Sequence, residues 1–182
     1  SDSEDHLGRQ SFENVTIFEF AGLVGDVLNH CHVKSHRLFQ LNKLISAKYL
    51  SPKIDTIIEK HSVDVVHSHS LYYGFLASYI RSDVPVVFTP MGSDVILHAQ
   101  RNPIYRLMAR KAFSRADVVT GDSVLLQRSG LKIGAKSNHN YVIQNGVDTS
   151  IFFPSKNSLK EDYGVESDEI LLFSPRGITP IY

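Results

Sequence analysis

The amino-acid sequence predicts an α/β domain, a doubly wound parallel sheet of the Rossmann-like kind, on three observations. First, short apolar runs rich in β-branched residues recur along the chain: Val63, Val65 and Val66, then Val84 to Phe88, Ala116 to Thr120, and Tyr141 to Ile143. Near-continuous runs of this length suit parallel strands, whereas strands with one wet face alternate strictly. Second, segments of helix length separate the runs, as crossovers between parallel strands require. Third, each run ends in polar, small or turn residues, such as His67-Ser68-His69-Ser70 and Met91-Gly92-Ser93-Asp94. Ligands of open parallel sheets bind beyond the carboxyl ends of the strands, so function is sought there.

The bulk properties narrow the class. A chain of 182 residues can bury one good core and begin a second domain. Its formal net charge is zero, which gives no reason to expect nucleic acid as a partner. Cys31 is alone, so the chain has no internal disulfide framework and no cysteine zinc site, and a reducing compartment is expected. No apolar stretch approaches the ~18 residues of a membrane span, and Ser1 to Gln10 has no apolar signal-peptide core. The expected setting is cytoplasmic.

Taken in order, Ser1 to Ser11 reads as a loop or tail, and Asn14 to Phe20 as a strand broken by Gly22 and Gly25. His30, Cys31, His32 and His36 invite a zinc reading, but a loop leading towards a site fits the segment better. Arg37 to Tyr49 has helical spacing through Leu38, Leu41, Leu44 and Ile45. Pro52 then opens a second helix, since proline suits a first turn. Between His69 and Val84 a helix carries Tyr72 or Tyr73, Leu76, Tyr79 and Ile80 on one stripe. Gly92, Ser93 and Asp94 cap a short helix over Val95 to Gln100. Pro103 restarts a helix whose inner stripe is Ile104, Leu107, Met108 and Ala112. Its outer face holds Arg101, Arg106, Arg110, Lys111 and Arg115, either plain solvated charge or a contact for an anionic lipid surface or phosphorylated acceptor. Asp122 or Ser123 caps the next helix, Leu159 to Tyr163 is a short helical pattern, and Glu169 to Ser174 is a further strand.

Four motifs occur in order: Asp64-Val-Val-His-Ser-His69, Val86-Val-Phe-Thr-Pro-Met-Gly-Ser-Asp94, Ala116-Asp-Val-Val-Thr120 and Val142-Ile-Gln-Asn-Gly-Val-Asp148. The set resembles the amino-terminal half of family 4 nucleotide-sugar glycosyltransferases of the GT-B fold, from about Asn14 onwards. The resemblance implies a retaining enzyme that moves a sugar from a nucleoside-diphosphate sugar to a hydroxyl of a glycan or lipid-linked acceptor, with no metal or other cofactor. It implies an acceptor-side domain over residues 1–150 lacking its first strand-helix-strand, and a linker with the first strand of a donor domain over 151–182. The chain is thus expected to be a fragment, inactive by itself.

On the same resemblance His69, Tyr72, Gly92, Ser93 and Asp94 are acceptor or sugar contacts, and His69 and Asp94 are the catalytic candidates. Arg176 and Gly177 are donor diphosphate contacts, where an arginine would stabilise charge on the leaving group. Met91 departs from the pattern, because many members carry a histidine there and a thioether cannot make that polar contact. Ser93 and Asp94 can bond sugar hydroxyls or simply cap a helix. His67 and His69 lie on one side of their strand, with His67 expected under the following helix and His69 at the cleft. Arg106, Arg110 and Arg115 are the candidate peripheral membrane contact. One rival is a metal-dependent, amidohydrolase-like hydrolase using the His67/His69 pair, which needs eight strand-helix units over ~250 residues. The other is a catalytically inactive binding fragment. Epimerases and phosphorylases share the two-domain fold, so fold alone does not exclude them.

Overall fold

A computed structural model describes residues 9–12, 15–18, 36–154, 159–166 and 168–172, with side chains from residue 43 onwards. The apolar runs form a four-stranded parallel sheet in the order β3-β4-β5-β6: β3 Val66–His69, β4 Val86–Thr89, β5 Val118–Gly121 and β6 Asn140–Val142. This is the expected Rossmann-like class. β3, β4 and β5 begin two or three residues later than their apolar runs and β6 one residue earlier, so His67 and His69 lie within β3 rather than after it. Register pairs His67 with Val87 and His69 with Thr89, then Phe88 with Val119 and Thr120 with Tyr141.

Ahead of the sheet, β1 (Arg9–Phe12) pairs antiparallel with β2 (Val15–Phe18). The expectation of a loop through Ser11 is therefore corrected. Arg9-Gln10-Ser11-Phe12, three polar residues before one apolar, is too polar to announce a strand, yet the neighbouring β2 supplies the ladder its backbone needs.

The two helices expected on either side of Pro52 are one, α1 (His36–His61). Proline removes one backbone donor and so orphans the carbonyl four residues back. Here that carbonyl belongs to Lys48, and Ser51 Oγ donates to it at 3.2 Å. A side chain replaces the missing amide and the helix runs through.

Three crossovers follow: α2 (Ser70–Ala77), α3 (Pro103–Arg115) and α4 (Val124–Ile133). All three lie on one face of the sheet, as sequential strands with right-handed connections dictate. That face presents Ser68, Val86, Phe88, Val119 and Asn140, all buried. Gly74 of α2 rests on Phe88, where a Cβ would stand 2.6 Å from the Phe88 Cδ2. Phe88 and Phe113 of α3 have ring centroids 5.2 Å apart, and Leu126 of α4 seats over Gly121. Burying an aromatic side chain such as Phe75, Phe88 or Phe113 contributes about 2–3 kcal/mol, and these are among the largest fully buried side chains. Of the stripe expected for α3, Met108 and Ala112 are inside, but Leu107 is 52% exposed. Asn102 caps the helix by accepting from the Ile104 amide at 2.9 Å, and Met108, Ala109, Ala112 and Phe113 face inward.

The opposite face alternates with the first. His67, His69 and Tyr141 on it are exposed, and Val87, Thr89, Val118 and Thr120 are half-buried. Among the described residues no crossover helix lies over them.

By contact the chain divides into two units, Ser1–Gln144 and Asn145–Tyr182. In the second, Asp148 Oδ1 accepts from the Ser150 hydroxyl at 2.6 Å and its amide at 2.9 Å, which holds the carboxyl below its ordinary range. Ile151, Phe152 and Phe153 are exposed, and α5 (Leu159–Asp162) is a single turn. The strand expected over Glu169 to Ser174 does not form at Glu169 to Leu172. No neighbouring strand among the described residues offers it a ladder, and Ile170 and Leu172 are exposed. Phe173, Ser174, Arg176 and Gly177 lie outside the described residues.

Candidate functional site

The carboxyl ends of β3, β4 and β5 bring together three polar side chains on the uncovered face. His67 Nε2 lies 2.8 Å from Thr89 Oγ1, and Thr89 Oγ1 lies 2.5 Å from Thr120 Oγ1. This hydrogen-bonded row crosses three adjacent strands: alternation aims the residues to one side, Thr89 and Thr120 follow the paired Phe88 and Val119, and His67, in register with Val87, reaches up to Thr89. The His69 ring stacks obliquely on His67, with centroids 4.2 Å apart. Partial burial, with the neighbouring His69 as a lesser cause, holds His67 below the ordinary histidine value. At neutral pH it is therefore an uncharged imidazole, able to accept from or donate to Thr89.

The expectation that His67 packs under the following helix is overturned. Helix α2 sits on the face of Ser68, and a strand period of two puts His67 and His69 on the other. Both are exposed. Beside β3, at the outer edge of the sheet, an open hollow of about 340 Å³ is lined by His67, His69, Tyr73, Leu76, Ile54 and Ile80 among others. Tyr73 shares this hollow. Tyr72 faces the core beneath α2, with the Lys43 ammonium 5.6 Å from its ring centre, and burial raises its phenol above the ordinary value.

The loop after β4 is tied to the loop after β3 by one carboxylate. Asp94 Oδ2 accepts from the Leu71 amide at 2.7 Å and from the Met91 amide at 3.3 Å. Asp94 thus caps α2, a helix 23 residues earlier, and not the helix it begins; residues Asp94–His98 form a widened π-type turn followed by one α-turn, Ala99–Arg101. Its Oδ1 is buried and bonds no described protein group. Two backbones make the close approach feasible: Ser70 at φ 66° and Gly92 at φ 80°. Gly92 takes that conformation without strain, whereas Ser70 carries a cost of about 1 kcal/mol. Ser93 makes no capping bond, and Met91 is exposed. The structure therefore gathers His69, Gly92, Ser93 and Asp94 at adjoining strand ends, sets Tyr72 apart, and adds Thr89, Thr120 and Tyr73. In the sequence Thr120 stands only as the last residue of its apolar run, and Thr89 as the first residue after its own.

Among the described residues no cluster of three or more His, Cys, Asp or Glu is placed to hold a metal. His30, Cys31 and His32 lie outside the described residues, and the side chain of His36 is not described. No helix among the described residues is long and apolar enough to cross a membrane.

The model of Glycosyltransferase Family 4 matches residues 11–151. The chain belongs to glycosyltransferase family 4. Among solved structures it is similar to Anabaena Alr3699/HepE in complex with UDP and glucose, at 18% identity and a TM-score of 0.50, over 63% of this chain and 32% of that one. The same protein in complex with UDP-glucose matches at 19% identity and a TM-score of 0.49, with the same coverage. The match thus spans about a third of the length of the solved relative, and the likeness is one of fold. No curated protein matches the chain.

Proposed function

We propose that this chain is the acceptor-side part of a retaining glycosyltransferase that uses a nucleoside-diphosphate sugar and needs no metal. The observation that carries the reading is a polar strand-end site, His69 with the Gly92-Ser93-Asp94 loop, at the ligand-binding edge of a chain that belongs to this family. In the reaction the bond from the anomeric carbon to the diphosphate oxygen breaks, and a bond to the acceptor oxygen forms on the same face. The acceptor proton leaves towards the departing diphosphate. The residues here contribute position: Gly92 admits the sugar close to the backbone, and His69 and Ser93 bond hydroxyls of a glycan or lipid-linked acceptor. Asp94 holds the two loops at the spacing this needs. Residues 1–150 would form the acceptor-side domain and 151–182 the approach to the donor domain. Arg176 and Gly177 would meet the diphosphate, a role resting on resemblance alone. The UDP and glucose held by HepE support this donor class.

Ligand-observed NMR of the 182-residue chain with simple glycans and nucleotide sugars, with and without zinc, tests the reading. Weak glycan binding that His69→Ala removes and zinc leaves unchanged is the expected result. Stoichiometric zinc binding lost on changing His67 or His69 would overturn it in favour of the hydrolase.

A further inference from the structure

We propose that the outer surface of helices α3 and α4 docks on an anionic lipid surface. The proposal is independent of sugar transfer and rests on how charge and apolar area are distributed. Nineteen basic and nineteen acidic residues cancel over the whole chain, yet between Val95 and Gln144 there are eight Lys and Arg against two Asp. Neither α3 nor α4 contains an acidic residue. The two helices pack side by side, with Gly130 of α4 against the Phe113 ring of α3.

Their cations fall into two groups. Lys111 donates to the Tyr79 hydroxyl at 3.0 Å, and Arg115 pairs with Asp117 at 3.1 Å and donates to the Val84 carbonyl at 2.8 Å. These hold the fold, so Arg115 leaves the set expected from the sequence. Arg106 and Arg110 on α3, and Arg128 and Lys132 on α4, are exposed and form no ion pair or hydrogen bond among the described residues. Interleaved with them are Leu107, Val124, Leu125 and Leu131, exposed by 52%, 50%, 61% and 40%. On α4 the order Val124, Leu125, Arg128, Leu131, Lys132 keeps both kinds on one helical side. Leucine at these outward positions has nothing to bury against in water, while arginine beside it prevents self-association. An interface of acidic headgroups over acyl chains satisfies both.

Flotation with phosphatidylcholine vesicles, with and without phosphatidylglycerol, tests this. The chain is expected to float with the anionic vesicles alone and to be released by salt. Each cation near such a surface changes partition about fivefold, so Arg106→Gln with Arg110→Gln lowers binding about twenty- to thirtyfold. Leu125→Ser with Leu131→Ser should weaken binding and leave its salt dependence intact. Ile143→Ser, in the exposed residue just after β6, should change nothing. Equal flotation with neutral vesicles, absence of flotation, loss in Ile143→Ser alone, or displacement by an equivalent amount of duplex DNA would each overturn the proposal.

Discussion

The two faces of the four-stranded sheet are made from the same strands, residue by alternate residue, and they differ in what covers them. One presents Val86, Phe88 and Val119 to three helices and is closed. The other presents His67, His69, Thr89 and Thr120 and is open. In a parallel strand the usual signal is apolar on both sides. Here polar residues two positions apart in β3 interrupt it, on the face that the crossover helices leave open. The difference teaches that a step of one residue along a strand separates what is packed from what is exposed.

Substitutions should sort by face. Phe88→Ala removes a fully buried ring from between Gly74 and Phe113 and should cost about 3–5 kcal/mol in chemical denaturation. Gly74→Ala drives a methyl into Phe88 and should cost about 1–3 kcal/mol through overpacking. Should either leave the midpoint unchanged, the closed face is not the core.

Asp94 lies at the junction of the two roles, and paired variants separate them. Asp94→Ala removes the acceptor for the Leu71 amide and should lose about 1 kcal/mol, as for other helix caps. Asp94→Asn keeps an acceptor of the same shape and should retain most of that stability. Under the proposed function, glycan binding should follow the cap, weak in the alanine variant and present in the asparagine variant. Glycan binding lost equally in both would instead make Asp94 a direct contact through its charge.

Much of this arrangement was legible in the sequence, and the failures have physical causes. The β-branched runs and their polar ends gave the parallel sheet and the edge at which to look. The continuity of α1 was not legible, because it depends on Ser51 satisfying one carbonyl. Helical spacing allows Leu107 on the inner stripe, but Ala109 and Phe113 take that side and leave Leu107 outward, a choice between two neighbouring stripes that packing makes and local spacing does not. The capping role of Asp94 across 23 residues is a tertiary contact with no local signature. His67 was misplaced because a strand's alternation was known but not which face the helices would cover.

On the open face, changes should be small in stability and visible in titration. Thr89→Val breaks the row from His67 to Thr120 and should stay within about 0.5 kcal/mol, since these groups reach water once freed. The finer test is the protonation of His67, which partial burial and then His69 hold below the ordinary value. Because the folded value is lowered, the unfolded chain binds the proton first as pH falls. Stability should therefore drop as pH falls through the ordinary histidine value, and stop dropping below the lowered one. Imidazole proton NMR should show His67 titrating below a histidine in a flexible peptide. His69→Ala should move it only part of the way back, because burial is the larger cause and remains. Full restoration would assign the effect to charge between the two rings. A His67 value at or above that of the peptide would mean that the open face leaves it fully hydrated, and would detach the row of side chains from any role that needs a neutral imidazole.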